Sequence, residues 1–202
     1  MSKPRKVYWD TTCFICFLNR NEDVRRKICE DVLVHAERGE IEIWTSTWTI
    51  VEVIRPRRAQ AAIPALPPWA AKAFKEMPDA GRQLTEMWGY YHRNTAPFEQ
   101  LAPDQIKKIE GMFQHPWLHK IVVDERVCTK AVELCRTVSI KPADAVHAAS
   151  AILKKVDCLQ RWDRDFDKVQ HLIAVEEPQR LSQQQELIEG FRRPIGPSPG
   201  DF

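Results

Sequence analysis

Along most of the chain, short apolar runs of strand length alternate with longer amphipathic stretches. Val7 to Trp9 is β-prone and ends at Asp10, and the apolar segment directly after it has helical potential. From about Glu22 to Arg38, charged residues alternate with Val24, Ile28, Val32, Leu33 and Ala36 near helical spacing, and Gly39 supplies a C-terminal stop. Ile41 to Trp44 reads as a second strand. Thr45, Ser46 and Thr47 then offer N-cap hydroxyls for a helix through Ile54, which Pro56 is expected to end. Regular order returns later: Lys120 to Val123 as a strand, Glu125 to Thr137 and Pro142 to Lys154 as helices, then strands at Asp157 to Leu159 and His171 to Val175. Strands alternating with amphipathic helices predict an α/β domain with a mainly parallel sheet.

Between about 55 and 116 the texture changes. Pro56, Pro64, Pro67, Pro68, Pro78, Pro97, Pro103 and Pro116 punctuate it, with Trp69, Trp88, Tyr90 and Tyr91 among them, which predicts a mostly helical insertion with loops. After Pro178 a glutamine-rich stretch leads to RRPIGPSPGDF, a composition expected to form a mobile tail over 178–202. Residues 1–177 then form one domain, a size that buries a proper core; 202 residues with 44% hydrophobic and 29% charged side chains fit that reading.

The net charge of +2 does not by itself argue for a polyanionic partner. No apolar stretch approaches the eighteen or so residues needed to cross a bilayer, and MSKPRKVYWD lacks a secretory pattern, so a cytoplasmic protein without a membrane partner is expected. The six cysteines read as free thiols. Cys13 and Cys16 have C-x-x-C spacing but sit among Phe14, Ile15, Phe17 and Leu18, which favours buried packing; Cys128 and Cys135 fall on the apolar stripe of their helix and are likewise expected in the core.

The candidate chemistry is acidic. Asp10 falls at the carboxyl end of the first strand, where parallel sheets place ligand sites, with Thr11 and Thr12 beside it; an N-cap is an equally sufficient reading of Asp10 alone. Glu52 interrupts Ile50-Val51-Glu52-Val53-Ile54, where a carboxylate among apolar residues calls for a bound cation or a lysine or arginine nearby. Asp144 lies in the first turn of an alanine-rich helix behind Pro142, a position the helix dipole also favours. His147 shares its face and reads as a packing residue, or as one that orients Asp144 or touches phosphate. Asp163 and Asp165, in Asp163-Arg164-Asp165-Phe166-Asp167, follow a strand end and are equally readable as a solvated turn. Brought to one sheet edge, four such carboxylates would demand cations. Oxygen ligands without a cysteine or histidine cluster suit Mg²⁺ or Mn²⁺ better than zinc, and such ions activate water for attack on phosphodiesters.

Four segments in this order resemble the PIN-domain nucleases, including the VapC-like toxins of toxin–antitoxin pairs. Val7-Tyr8-Trp9-Asp10-Thr11-Thr12 resembles the family's opening strand and D-T-S or D-T-N start, and Ser46 through Val53 its serine/threonine-rich lead into E-[LV]. Pro142 to Ala149 is similar to its A-D-A-x-H-A-A helix, and Trp162 to Phe166 to its T-x-D-x-D-F segment, with Arg161 where the family has threonine, so that Asp163 is preferred to Asp165 as the fourth ligand. The resemblance covers roughly residues 5–56 and 118–176. It implies a three-layer α/β/α fold and metal-dependent hydrolysis of RNA, with Asp10, Glu52, Asp144 and Asp163 as catalytic metal ligands and Thr12 in support. It also implies an antitoxin partner and self-association into a homodimer.

Two other classes fit less well. A PIN-like module that only binds RNA or a protein would use Arg55, Arg57, Arg58 and the aromatic insertion, but a complete acidic set argues against a degenerate site. A haloacid-dehalogenase-like phosphatase with Asp10 as nucleophile would carry an aspartate where this chain has Thr12. No G-x-x-x-x-G-K-[ST] loop is present.

Overall fold

In the computed structural model, which describes residues 3–18, 23–62, 66–77, 86, 89–90 and 103–182, five strands lie side by side, all parallel, in the order β3-β2-β1-β4-β5. They are β1 (Arg5–Trp9), β2 (Ile41–Ser46), β3 (Leu118–Ile121), β4 (Cys158–Gln160) and β5 (Val175–Glu176). The helices are α1 (Thr11–Leu18), α2 (Asp23–Glu37), α3 (Thr47–Ala62), α4 (Pro68–Lys75), α5 (Pro103–Phe113), α6 (Glu125–Thr137) and α7 (Pro142–Lys154), followed by a 3₁₀ turn at Asp165–Val169.

Side-chain alternation along β1 builds the layers. Val7 and Trp9 face one side, where Cys13 and Phe14 of α1, Cys29 and Val32 of α2, Val53 of α3 and Phe113 of α5 close over the sheet. Tyr8 faces the other side, toward Val127, Ala131 and Leu134 of α6, the alanines of α7 and Phe166. Both faces of the central strands are covered, as is usual for a parallel sheet. The result is the three-layer α/β/α arrangement that the PIN-like reading implied.

The strand order also fixes where a site can form. From β1 the chain steps outward to β2 and β3, then crosses to β4 on the opposite side of β1. The direction of winding therefore switches between β1 and β4, and at such a point the carboxyl ends of neighbouring strands open a crevice. Asp10 follows β1 there, and its backbone N–H donates to the carbonyl of Gln160 at the end of β4, 3.2 Å away.

Several boundaries depart from the sequence pattern. α3 continues through Pro56 to Ala62; proline removes one N–H donor from the ladder, and the helix residues on either side carry on without it. The third strand lies two residues earlier than the Lys120–Val123 expectation, which leaves Val122 68% exposed just beyond it. Most of His171 to Val175 is turn, stitched by Leu172 and Ile173 N–H bonds to the Val169 carbonyl, and the last strand begins only at Val175. In α2 the buried stripe is carried by Cys29, Val32, His35 and Ala36, whereas Val24 is exposed. Cys13 and Cys16 are buried as expected; of the other pair, Cys135 is partly covered and packs against the core as expected, whereas Cys128 is exposed, and none of the described cysteines is in a disulfide. Much of the 55–116 insertion, including the side chains of Arg55, Arg57 and Arg58, and the tail beyond 182 lie outside the described residues. Just before that point, Asp31 of α2 accepts hydrogen bonds from the N–H groups of Leu181 and Ser182, at 2.6 and 3.2 Å.

Two helix ends share one motif with different residues. After α2, Gly39 takes φ +74° while Gly39 and Glu40 N–H groups bond back to Ala36 and His35. After α7, Lys155 takes φ +55° with Lys155 and Val156 bonding back to Ile152 and Ala151. A left-handed residue with a Cβ is strained where glycine is not. Lys155→Gly is expected to raise stability by about 0.5–1 kcal/mol in urea denaturation, the relief of strain outweighing the greater freedom of the unfolded chain.

Candidate active site

Three of the four sequence-predicted carboxylates lie at the carboxyl edge of the sheet, where the charge of Asp163 acts on both Asp10 and Asp144. Asp10 is 2% exposed. Its Oδ1 accepts the Thr12 hydroxyl at 2.6 Å and the Cys13 N–H at 3.3 Å, so it caps α1 while facing the edge. Burial pushes its pKa up to about 6, and the Asp163 charge adds to the rise; the Thr12 bond and the charge of His147 hold it back. Asp144, in the first turn of α7, is likewise pushed up to about 6 by burial, then by Asp163 and Asp165. Asp163, half-buried, is raised by burial first and by the neighbouring Asp165 charge, while the Asp165 N–H bond to its Oδ1 opposes the shift.

Thr12 links the elements that carry this set. Its hydroxyl donates to Asp10 and also accepts the Trp162 N–H at 3.0 Å, tying the end of β1 to the segment that presents Asp163. Asp165 turns instead to Lys141, whose Nζ donates to its Oδ2 at 2.5 Å. That pairing favours Asp163 as the member of the set.

Glu52 is part of a neighbouring network rather than of the carboxylate group itself. Its Oε2 accepts the Thr11 hydroxyl at 2.5 Å and lies 2.6 Å from His147 Nε2, while His147 Nδ1 lies 2.9 Å from the Tyr8 hydroxyl. Burial works against charging His147, but Tyr8, Glu52 and Asp10 outweigh it and bring its pKa up to about 10. As imidazolium, it donates through both ring nitrogens, to Tyr8 and to Glu52. Glu52 is held below the usual carboxylate range: burial would raise it, but hydrogen bonds from His147, Thr11 and Trp48 prevail. The apolar setting of Glu52 led to the expectation of a bound cation, a lysine or an arginine; the charged partner in the structure is instead His147. At 2% exposure, with both nitrogens engaged, His147 is not placed to touch phosphate or to hydrogen-bond Asp144. Tyr8 was invisible as a site residue in the sequence, since it reads only as one apolar position of β1.

The donor set fits a hard divalent cation in its chemistry: oxygens only, and raised in pKa by burial first and by neighbouring carboxylates second. Asp144 Oδ2 is buried with no hydrogen-bond partner, an expensive state for a carboxylate oxygen that a cation would relieve. Among the described residues no three acidic, histidine or cysteine side chains stand close enough to enclose an ion as they are. A cavity of about 520 Å³, lined by Pro4, Ile41, His115, Trp117 and His119, lies at the amino-terminal ends of β1 and β2 and includes none of these residues. No helix among the described residues is long and apolar enough to cross a membrane.

Residues 115–172 match the family model described as PIN domain. No curated protein matches the chain. Among solved structures, the chain is similar in fold to a chain in the crystal structure of VapBC2 from Rickettsia felis bound to a DNA fragment from their promoter, at 13% identity and a TM-score of 0.47, covering 85% of this chain and 98% of that one. The matched segment contains α6, α7 and β4 and with them Asp144 and Asp163. The resemblance to PIN domains carried by the acidic segments of the sequence is thus met by the family model itself over residues 115–172.

Proposed function

We propose that this chain is a divalent-metal-dependent ribonuclease that hydrolyses RNA phosphodiester bonds, with Asp10, Glu52, Asp144 and Asp163 as its acidic set. The observation that carries the reading is the buried, unpartnered Oδ2 of Asp144, a carboxyl raised in pKa by burial and then by the charges of Asp163 and Asp165. Oxygen ligands of this kind suit Mg²⁺ or Mn²⁺, and such an ion would supply an activated water and neutralise charge on the leaving oxygen.

The chain's own residues divide the remaining work. Asp10, Asp144 and Asp163 would hold the ion, and Thr12 fixes the carboxylate of Asp10 through its Oδ1. Glu52, kept ionised by His147 and Thr11, is a weak base; it fits the orienting of water by hydrogen bonds better than proton removal. On the sequence resemblance, the ribonuclease would serve as the cytoplasmic toxin of a toxin–antitoxin pair, acting as a homodimer and restrained by an antitoxin laid over the acidic edge.

A second reading, a PIN-like module that binds RNA without cutting it, is favoured by the absence of a preassembled ion cage among the described residues. Incubating a mixed RNA pool with the wild type and Asp144→Asn, in Mg²⁺, in Mn²⁺ and in chelator, separates the two. Cleavage that requires metal and disappears in the variant is the expected result; equal background in both proteins sinks the nuclease reading.

A further inference from the structure

Trp48 occupies the first turn of α3, directly after the carboxyl end of β2, on the edge that carries the acidic set. Tryptophan is a costly residue to leave in water, yet this one is 38% exposed. Its indole N–H lies toward Glu52 one turn along and helps to lower the pKa of that carboxyl, and Glu52 in turn is bonded to Thr11, the residue next to Asp10. The ring thus turns its one polar atom toward Glu52 while part of its apolar surface stays open. Val51, one turn position on, is 58% exposed. Val122 is 68% exposed just past β3, where the Val123 N–H donates to the Thr47 hydroxyl and brings this loop against the start of α3.

Resting on the ribonuclease reading, we propose that Trp48, flanked by Val51 and Val122, is the platform on which an unpaired base of the RNA substrate stacks, positioning the adjoining phosphodiester at the acidic edge. Stacking on an aromatic ring needs one flat, immobilised face and tolerates any base. Among the described residues three side chains supply that, far short of the 20–30 residues on each side, roughly 800 Å² per partner, of a stable protein interface. The position at the rim, linked through Glu52 and Thr11 to Asp10, places the base beside the reacting bond rather than at a remote anchor. A base must be unpaired to present its face, so single-stranded RNA is the substrate class.

The test compares wild type, Trp48→Ala and Trp48→Phe on a short single-stranded RNA, after circular dichroism has established that each is folded. Phenylalanine keeps an aromatic face and loses the N–H to Glu52, so it separates stacking from any effect through Glu52. The expected result is a KM raised about fivefold to a hundredfold in Trp48→Ala, with Trp48→Phe near wild type and kcat changed less than KM in both. If the wild type cuts RNA but Trp48→Ala leaves KM within twofold, the platform is overturned and the ribonuclease reading stands. Equal losses of kcat in both variants at constant KM assign Trp48 to holding Glu52 alone, which also overturns it. So does a change of oligomeric state in Trp48→Ala, seen by sedimentation with KM unaltered, since a second chain then covers the ring. Should the wild type cut no RNA, the ribonuclease reading fails by itself. The platform is then judged by fluorescence anisotropy of a fluorescein-labelled single strand: binding weakened at least fivefold in Trp48→Ala upholds it, and equal or absent binding overturns it.

Discussion

Asp144→Asn lowers RNA cleavage by more than about a hundredfold and, in the same protein, raises the melting temperature measured without metal. Loss of an outer-shell partner already costs a metal site about 10–100-fold, so loss of a direct ligand exceeds that. The stability gain follows from the raised pKa of Asp144, about 6 against 3.8. A shift of that size corresponds to about 3 kcal/mol, which solvent screening of a partly exposed group reduces to about 1 kcal/mol, or about 2–4 °C in a chain of this length. The sign determines the pH window. A carboxyl whose folded pKa is raised binds its proton more tightly when folded, so the penalty is absent below pH 3.8, grows as pH rises toward 6 and is complete above it. The variant should therefore melt higher than wild type at pH 7.5 and no differently near pH 3.5. Adding Mg²⁺ or Mn²⁺ at pH 7.5 should raise the wild type and leave Asp144→Asn nearly unmoved. A wild type that melts higher than the variant without metal would contradict the view of Asp144 as a strained, waiting ligand.

His147→Ala carries the largest cost to the fold. It strands the Tyr8 hydroxyl, leaves the Glu52 carboxylate with the Thr11 hydroxyl but without its charged partner, and opens a cavity where a fully enclosed ring stood. Breaking a buried ion pair from one side costs about 3–5 kcal/mol; Glu52 keeps some access to water, which places the expected loss near 3 kcal/mol, or roughly 10 °C. A histidine whose folded pKa lies at about 10 contributes stability that is complete below its unfolded value of 6.5 and is lost as pH rises to 10. The gap in melting temperature between wild type and His147→Ala should accordingly narrow from pH 6.5 to pH 10. A gap that is constant across this range would mean that His147 acts by packing alone.

The parts of the molecule legible in the sequence are those set by local rules. The helices Glu125–Thr137 and Pro142–Lys154 stand at their expected bounds because Asp124 caps the first and Pro142 opens the second. Gly39 ends α2 through the positive φ that glycine permits. Whatever depended on distant partners was harder to read. The two-residue strand at Val175 exists only because Leu159 and Gln160 pair with it, and nothing in residues 171–175 distinguishes strand from turn. In the site, Asp10, Asp144 and Asp163 were visible because each follows a strand or opens a helix. The bond between Glu52 and His147 joins residues 95 apart in sequence and has no local signature. Tyr8, hidden by alternation, supplies the other end of that chain. The apolar appearance of Cys128 misled because a seven-residue spacing alone does not say which edge of a helical stripe reaches the core.

Ala145, Ala148, Ala149 and Ala151 have no solvent exposure, and α7 owes its close seat on the sheet to them. That gives the helix a lopsided tolerance to sequence drift. Its polar residues can change wherever their partners allow, whereas the alanine positions admit glycine or serine and little else, because each added methylene lifts the helix as a rigid body. Asp144 rides on that helix, so a library built at these four apolar positions would lose activity in order of side-chain volume, with every acidic residue still in place.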